Sequence, residues 1–168
     1  MTTAIVNNTT GRVAKAKQGI ETGLRVLGSI AGRHRELGAE TEAARNETLA
    51  ALEHDGVFKA SKLVWGRINA LTERAAGTEI ARADRAFESV NGAMPGRKAE
   101  AARLLDGAKT DFVGRNYRDA EFKASRAAGL LEAIQRDSTA NAEYAQSLRQ
   151  SNWGVLEELA PRKPRKKR

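Results

Sequence analysis

Residues 104–131 read LLDGAKTDFVGRNYRDAEFKASRAAGLL. Apolar and small residues recur at steps of three and four on both sides of Gly114-Arg115-Asn116: Leu105, Ala108 and Phe112 before it, and Tyr117, Ala120, Ala124, Ala127 and Leu131 after it. That period puts them on one stripe of each of two helices. A polar turn this short makes the two helices antiparallel neighbours. The stretch therefore reads as a helical hairpin, and the fold class follows if the rest of the chain repeats the pattern.

It does. Alternating β-branched runs are absent, and all three prolines, Pro95, Pro161 and Pro164, lie in the second half. A first helix is expected from about Gly11 to His34, with Val13, Ile20, Leu24, Leu27 and Ala31 on its stripe. A second runs from about Ala39 to His54 and stops at Asp55-Gly56. A third, from about Val57 to Ala76, is closed by Gly77, with Thr78 capping a fourth that carries Ile80, Ala83, Phe87 and Val90. Asn91 to Gly96 is a loop. A fifth helix spans about Arg97 to Val113. From Tyr117 the stripe either runs unbroken through Ile134, Ala145, Leu148, Val155 and Leu159, with Ser138, Asn141 and Asn152 in the seam, or breaks where Asp137 or Ser138 caps a separate last helix. The expected fold is all-α: an irregular antiparallel helical bundle, or stacked helical hairpins, with a disordered basic C-terminal tail.

Within residues 104–131, Leu104, Ala108, Phe112, Gly114, Tyr117, Ala120, Ala127 and Leu131 resemble a tetratricopeptide-repeat hairpin. In that family small residues sit where two helices touch, here Ala108, Ala120 and Ala127, and an aromatic follows the turn, here Tyr117. Ala124 departs from the pattern, which prefers an aromatic there, and no proline closes the unit. No 34-residue repeat occurs elsewhere in the chain. The resemblance implies a helical hairpin closed by small-residue contacts.

The net charge of +8 over 168 residues is unevenly placed. Pro161 to Arg168 contributes +6, residues 1–35 contribute +5, and the intervening body is −3. The high isoelectric point thus belongs to the two ends. Three parts are expected: a basic Gly-rich amphipathic N-terminal helix over 1–36, a helical-hairpin body over 37–160, and the tail over 161–168. The tail has nothing apolar to bury. No secretory leader pattern and no spanning apolar window are found, so a cytoplasmic or virion-internal protein is expected.

The absence of Cys excludes disulfides and thiolate sites. There is no His-Glu-x-x-His, Gly-x-Ser-x-Gly or phosphate loop. His34 and His54 read as helix-end dipole partners, and Asn91 to Lys98 has the wrong spacing for a nucleotide cradle. Pairs such as Asp119 with Lys123 and Glu132 with Arg136 read as solvated helix-face ion pairs. No catalytic residue, metal or cofactor is assigned.

Two surfaces are nominated. The tail cations Arg162, Lys163, Arg165, Lys166, Lys167 and Arg168 attract phosphates without reading sequence; an acidic protein or an anionic lipid is the other polyanion they suit. In the first helix Gly19-x-x-x-Gly23 and Gly28-x-x-x-Gly32, with Leu24 and Leu27, allow close approach of a protein partner or a second copy. That helix also has the basic amphipathic character of a membrane-surface helix. Trp153 reads as the edge of the core; Arg115, Tyr117 and Arg118 together could stack on a base, but Tyr117 is better explained as hairpin packing. The expected role is a non-enzymatic interaction or assembly protein whose tail binds nucleic acid. The alternative is a structural component of a larger particle, such as a viral internal, scaffolding or connector protein.

Overall fold

The computed structural model describes the backbone of residues 2–90 and 94–159, and the side chains of 10–90 and 94–150. Five helices pack antiparallel, with no strand among the described residues: α1 (Thr2–Arg33), α2 (Gly38–His54), α3 (Val57–Ser89), α4 (Pro95–Val113) and α5 (Tyr117–Leu159). A single 3-10 turn, Arg35–Leu37, joins α1 to α2.

α3 is the spine. Its 33 residues span about 50 Å at 1.5 Å per residue. Its first half packs with α1 and α2 around Leu27, Ile30, Ala44, Val64, Ile68 and Leu71, and a smaller cluster of Ile20, Ala51 and Ala60 extends this core. Its second half packs with α4 and α5 around Ala83, Leu105, Ala127 and Ala128, then Val90, Ala101, Leu131 and Ile134. Alanine fills most contacts between α3, α4 and α5. Ala75, Ala76, Ala83, Ala108, Ala120, Ala124 and Ala127 are all 0 % exposed. Small side chains bring backbones close, so stability comes from many short-range contacts rather than from large buried side chains.

The expected break at Gly77 is not there. α3 runs through it, and the Thr78 hydroxyl donates to the Arg74 carbonyl oxygen at 3.0 Å, so Thr78 is a mid-helix residue and not a cap. Burial of Ala75, Ala76 and Ala83 outweighs the weak helix preference of one glycine. Gly77 faces Phe112, where an added Cβ would meet the ring at 3.9 Å. The stop at Asp55-Gly56 does form, with Gly56 at φ +89°.

At the other doubtful point α5 is one helix, continuous from Tyr117 to Leu159. Its seam is not buried throughout, however. Ile134 is fully buried, but every residue from Gln135 to Gln150 is exposed, Ser138, Asn141 and Ala145 included. The physical reason is the length of the neighbours. α3 ends at Ser89 and α4 begins at Pro95, and Arg97 in the first turn of α4 pairs with Asp137. Beyond Asp137, α5 runs past both.

Ion pairs lace the helices together. Glu47–Arg67 and Glu40–Arg74 join α2 to α3, Arg82–Glu132 joins α3 to α5, and Asp84–Lys109 joins α3 to α4. Lys123–Asp111 at 2.6 Å joins α5 to α4. Arg82 grips both oxygens of Glu132, which holds its guanidinium charged above the ordinary range. Exposed pairs of this kind contribute about 0–1 kcal/mol each. They engage part of the cations of the body; Arg45, Lys62, Arg85 and Arg103 are exposed and in no ion pair among the described residues.

Candidate polyanion surfaces and a buried ionic junction

The tail cations Arg162 to Arg168 lie outside the described residues, as does the side chain of Trp153. The other basic end is on the page. Arg12, Lys15, Lys17 and Arg25 sit at exposed positions of α1 and take part in no ion pair among the described residues. They contrast with Arg67, Arg82, Lys109 and Lys123, which pair between helices.

The nominated docking residues of α1 divide. Gly23 is buried against α3, where an added Cβ would lie 2.8 and 2.9 Å from the two methyls of Val64. Gly19 faces Ser61 and Trp65, at 3.2 and 3.6 Å on the same construction. Leu27 is 1 % exposed and Leu24 packs against the same core. The close approach that this spacing permits is thus made to α3 of the same chain, because α3 presents Val64 and Ile68 opposite the glycines. Gly28 and Gly32 are exposed, with nothing near their missing Cβ. The apolar side of α1, with Ile20, Leu27 and Ile30, is likewise covered within the chain.

At the end of α1 the fold assembles a junction. His34 is 4 % exposed and Glu121, on α5, is 5 % exposed. His34 Nε2 lies 3.0 Å from Glu121 Oε1, and Arg33 Nη1 donates to the same oxygen at 2.6 Å. His34 Nδ1 stands 3.4 Å from Glu36. One buried carboxylate is therefore held by Arg33, the last residue of α1, and by His34 just after it, tying the first half of the molecule to the second. His34 stands at the end of α1, where a helix-end residue was expected, but it is buried and bonded to Glu121. No local pattern announces a pairing across 87 positions.

Beside the junction runs an open groove of about 830 Å³. Thr22, Ser29 and Arg33 of α1 form one wall and Trp65, Asn69 and Thr72 of α3 the other, and the Arg115–Asp119 turn closes one end. Arg115 adopts φ +62° at the position after Gly114, where a glycine would cost nothing. The turn is held by Asn116 N–H donating to the Asp111 carbonyl at 2.8 Å and Arg115 N–H to Phe112 at 3.0 Å. Left-handed backbone at a non-glycine residue costs about 1–2 kcal/mol. Arg115 and Arg118 are exposed there and in no ion pair among the described residues. Tyr117 is half-buried and meets Phe112 edge-on, with ring centres 5.3 Å apart.

Burial raises the Tyr117 phenol above its ordinary 10.0, and the negative charge of the nearby Glu73 carboxylate adds to this. A raised folded-state value stabilises the fold below pH 10.0, and that contribution is lost as pH rises through the folded value. Ultraviolet titration should therefore show a phenol step above pH 10.0 that is missing from Tyr117→Phe. A titration curve that keeps that step in Tyr117→Phe would remove the assignment.

Lys98, in the first turn of α4, donates to the Val90 carbonyl and sits 4.6 Å from the Phe87 ring centre, closing the C-terminus of α3. Among the described residues no helix is long and apolar enough to cross a membrane. Comparison with protein-family models, curated proteins and solved structures finds no match.

Proposed function

We propose that this chain is a non-enzymatic helical assembly protein that binds nucleic acid, without sequence preference, through cations at its two ends. The observation that carries the reading is the partition of charge. The body is net −3 and pairs part of its cations between helices, Arg67, Arg82, Lys109 and Lys123 among them, whereas Arg12, Lys15, Lys17 and Arg25 are exposed on α1 in a net-positive end and in no ion pair among the described residues. The tail adds six more with no acid among them. Clustered cations of this kind release counterions from a phosphate backbone, giving salt-sensitive affinity. The groove lined by Trp65, Tyr117, Arg115 and Arg118 offers aromatic and guanidinium faces of the kind on which an exposed base can stack.

Mobility-shift titration on duplex DNA at several salt concentrations tests the reading. Removal of residues 161–168 should lower the steepness of log K against log salt by up to about five, at roughly 0.9 per lost phosphate contact. Replacing Arg12, Lys15, Lys17 and Arg25 together with Ala should lower it further, by up to about three to four. If both variants keep the parent affinity and slope, the proposal is wrong. A structural role in a larger particle is the second reading, favoured by the exposed half of α5.

A further inference from the structure

α5 keeps one seven-residue register along its whole length. Ala120, Ala124, Ala127, Leu131 and Ile134 follow at steps of four and three, and all are 0 % exposed against α3 and α4. The same steps continue from Ser138 through Asn141, Ala145, Leu148 and Asn152 to the end of the helix. The register therefore outlasts the helices it packs on. Past Asp137, about 22 residues extend roughly 33 Å beyond the start of α4. Tyr144 there is 66 % exposed.

We propose that residues 138–159 pair in parallel with the same segment of a second copy of this chain. The occupant follows from the composition of the seam. In a parallel, in-register pair each seam residue meets its own copy. Asn141 then faces its identical amide, each able to donate and accept at once. A purely apolar partner would bury that amide without a hydrogen bond. On the flank, Tyr144 falls opposite Arg149 of the other copy, a ring beside a guanidinium. Antiparallel pairing instead brings the flanking positions of Asp137 and Glu158 together, acid against acid. The seam is only partly apolar, so association is weak and concentration-dependent. Parallel pairing also sends two basic tails out of one end. That last consequence rests on the nucleic-acid reading; the pairing itself does not.

The chain has no cysteine, so single reporters are unambiguous. Ala145→Cys lies in the seam, and Gln150→Cys lies on the opposite face of the same exposed segment. In the full-length chain under mild oxidation, Ala145→Cys should cross-link about tenfold faster or more, because pairing raises the local thiol concentration. Sedimentation of the cysteine-free chain should show a dimer growing with concentration, abolished by Ala145→Asp with helicity unchanged by circular dichroism. Equal cross-linking rates, with monomer up to roughly 1 mM, would overturn the proposal. So would a dimer that cross-links only in a mixture of Ala145→Cys and Leu148→Cys chains, which marks antiparallel pairing.

Discussion

Gly23→Leu should cost this protein about 2–3 kcal/mol of its stability, one of the largest losses any single substitution in α1 would cause. The missing Cβ of Gly23 would stand 2.8 and 2.9 Å from the Val64 methyls and 3.4 Å from Ile68 Cδ1. Val64 is 0 % exposed and Ile68 5 %, so neither has space to withdraw. A leucine must therefore push α1 off α3 or force side chains out of their rotamers. Inserting methylenes into a packed core typically costs about 1–3 kcal/mol, and here more than one is inserted. The better helix preference of leucine returns at most about 1 kcal/mol. Against a total of about 5–15 kcal/mol for a domain, the loss is a large share.

Gly28 and Gly32 supply the opposite sign. Each is an exposed helix-interior glycine with open space around its missing Cβ. Gly28→Ala and Gly32→Ala should each stabilise by up to about 1 kcal/mol. Urea unfolding of the three variants separates the two roles that one spacing pattern had merged. If Gly23→Leu unfolds at the parent midpoint, α1 is not docked on α3 through that glycine. If Gly28→Ala and Gly32→Ala instead destabilise, those two glycines face something besides solvent.

How much of this was legible follows from where the information sits. Helix identity and the hairpin turn at Gly114-Arg115-Asn116 are local properties, written in apolar spacing and turn chemistry. The end of α2 is equally local, because Gly56 takes a conformation other residues avoid. Gly77 misled because propensity is a weak prior and burial of the alanines around it decides the matter. The stripe of α1 was correct, but periodicity says only that a face is covered and not by what; that α3 covers it depends on chain topology. The second half of α5 shows the same limit. Its register is unbroken, yet whether the seam is buried depends on where α3 and α4 end. The groove was half legible: Arg115, Tyr117 and Arg118 are adjacent in sequence, whereas Trp65 and Asn69 join them only in three dimensions. The tie between His34 and Glu121 left no trace, since each alone looks like an ordinary polar residue on a helix.

That tie carries the other large expected effect. Glu121→Leu should destabilise by about 2–3 kcal/mol, because it strips a buried imidazole of its partner. Of the two groups that Glu121 holds, Arg33 keeps a half-exposed side chain and turns to water at little cost. His34, with a side chain 5 % exposed, has no such exit, and its Nε2 loses the hydrogen bond at 3.0 Å. Glu121→Gln should cost clearly less, since an amide can still accept from Arg33 and meet the imidazole. The two halves of the molecule have separate apolar clusters along α3, and the junction bonds one to the other directly. Loosening it should therefore also lower the cooperativity of urea unfolding, seen as a shallower transition or as two. Equal midpoints and slopes for Glu121→Leu and the parent would mean that the junction is carried by the fold and does not hold it. A Glu121→Gln loss as large as that of Glu121→Leu would shift the weight from the hydrogen bond to the charge itself.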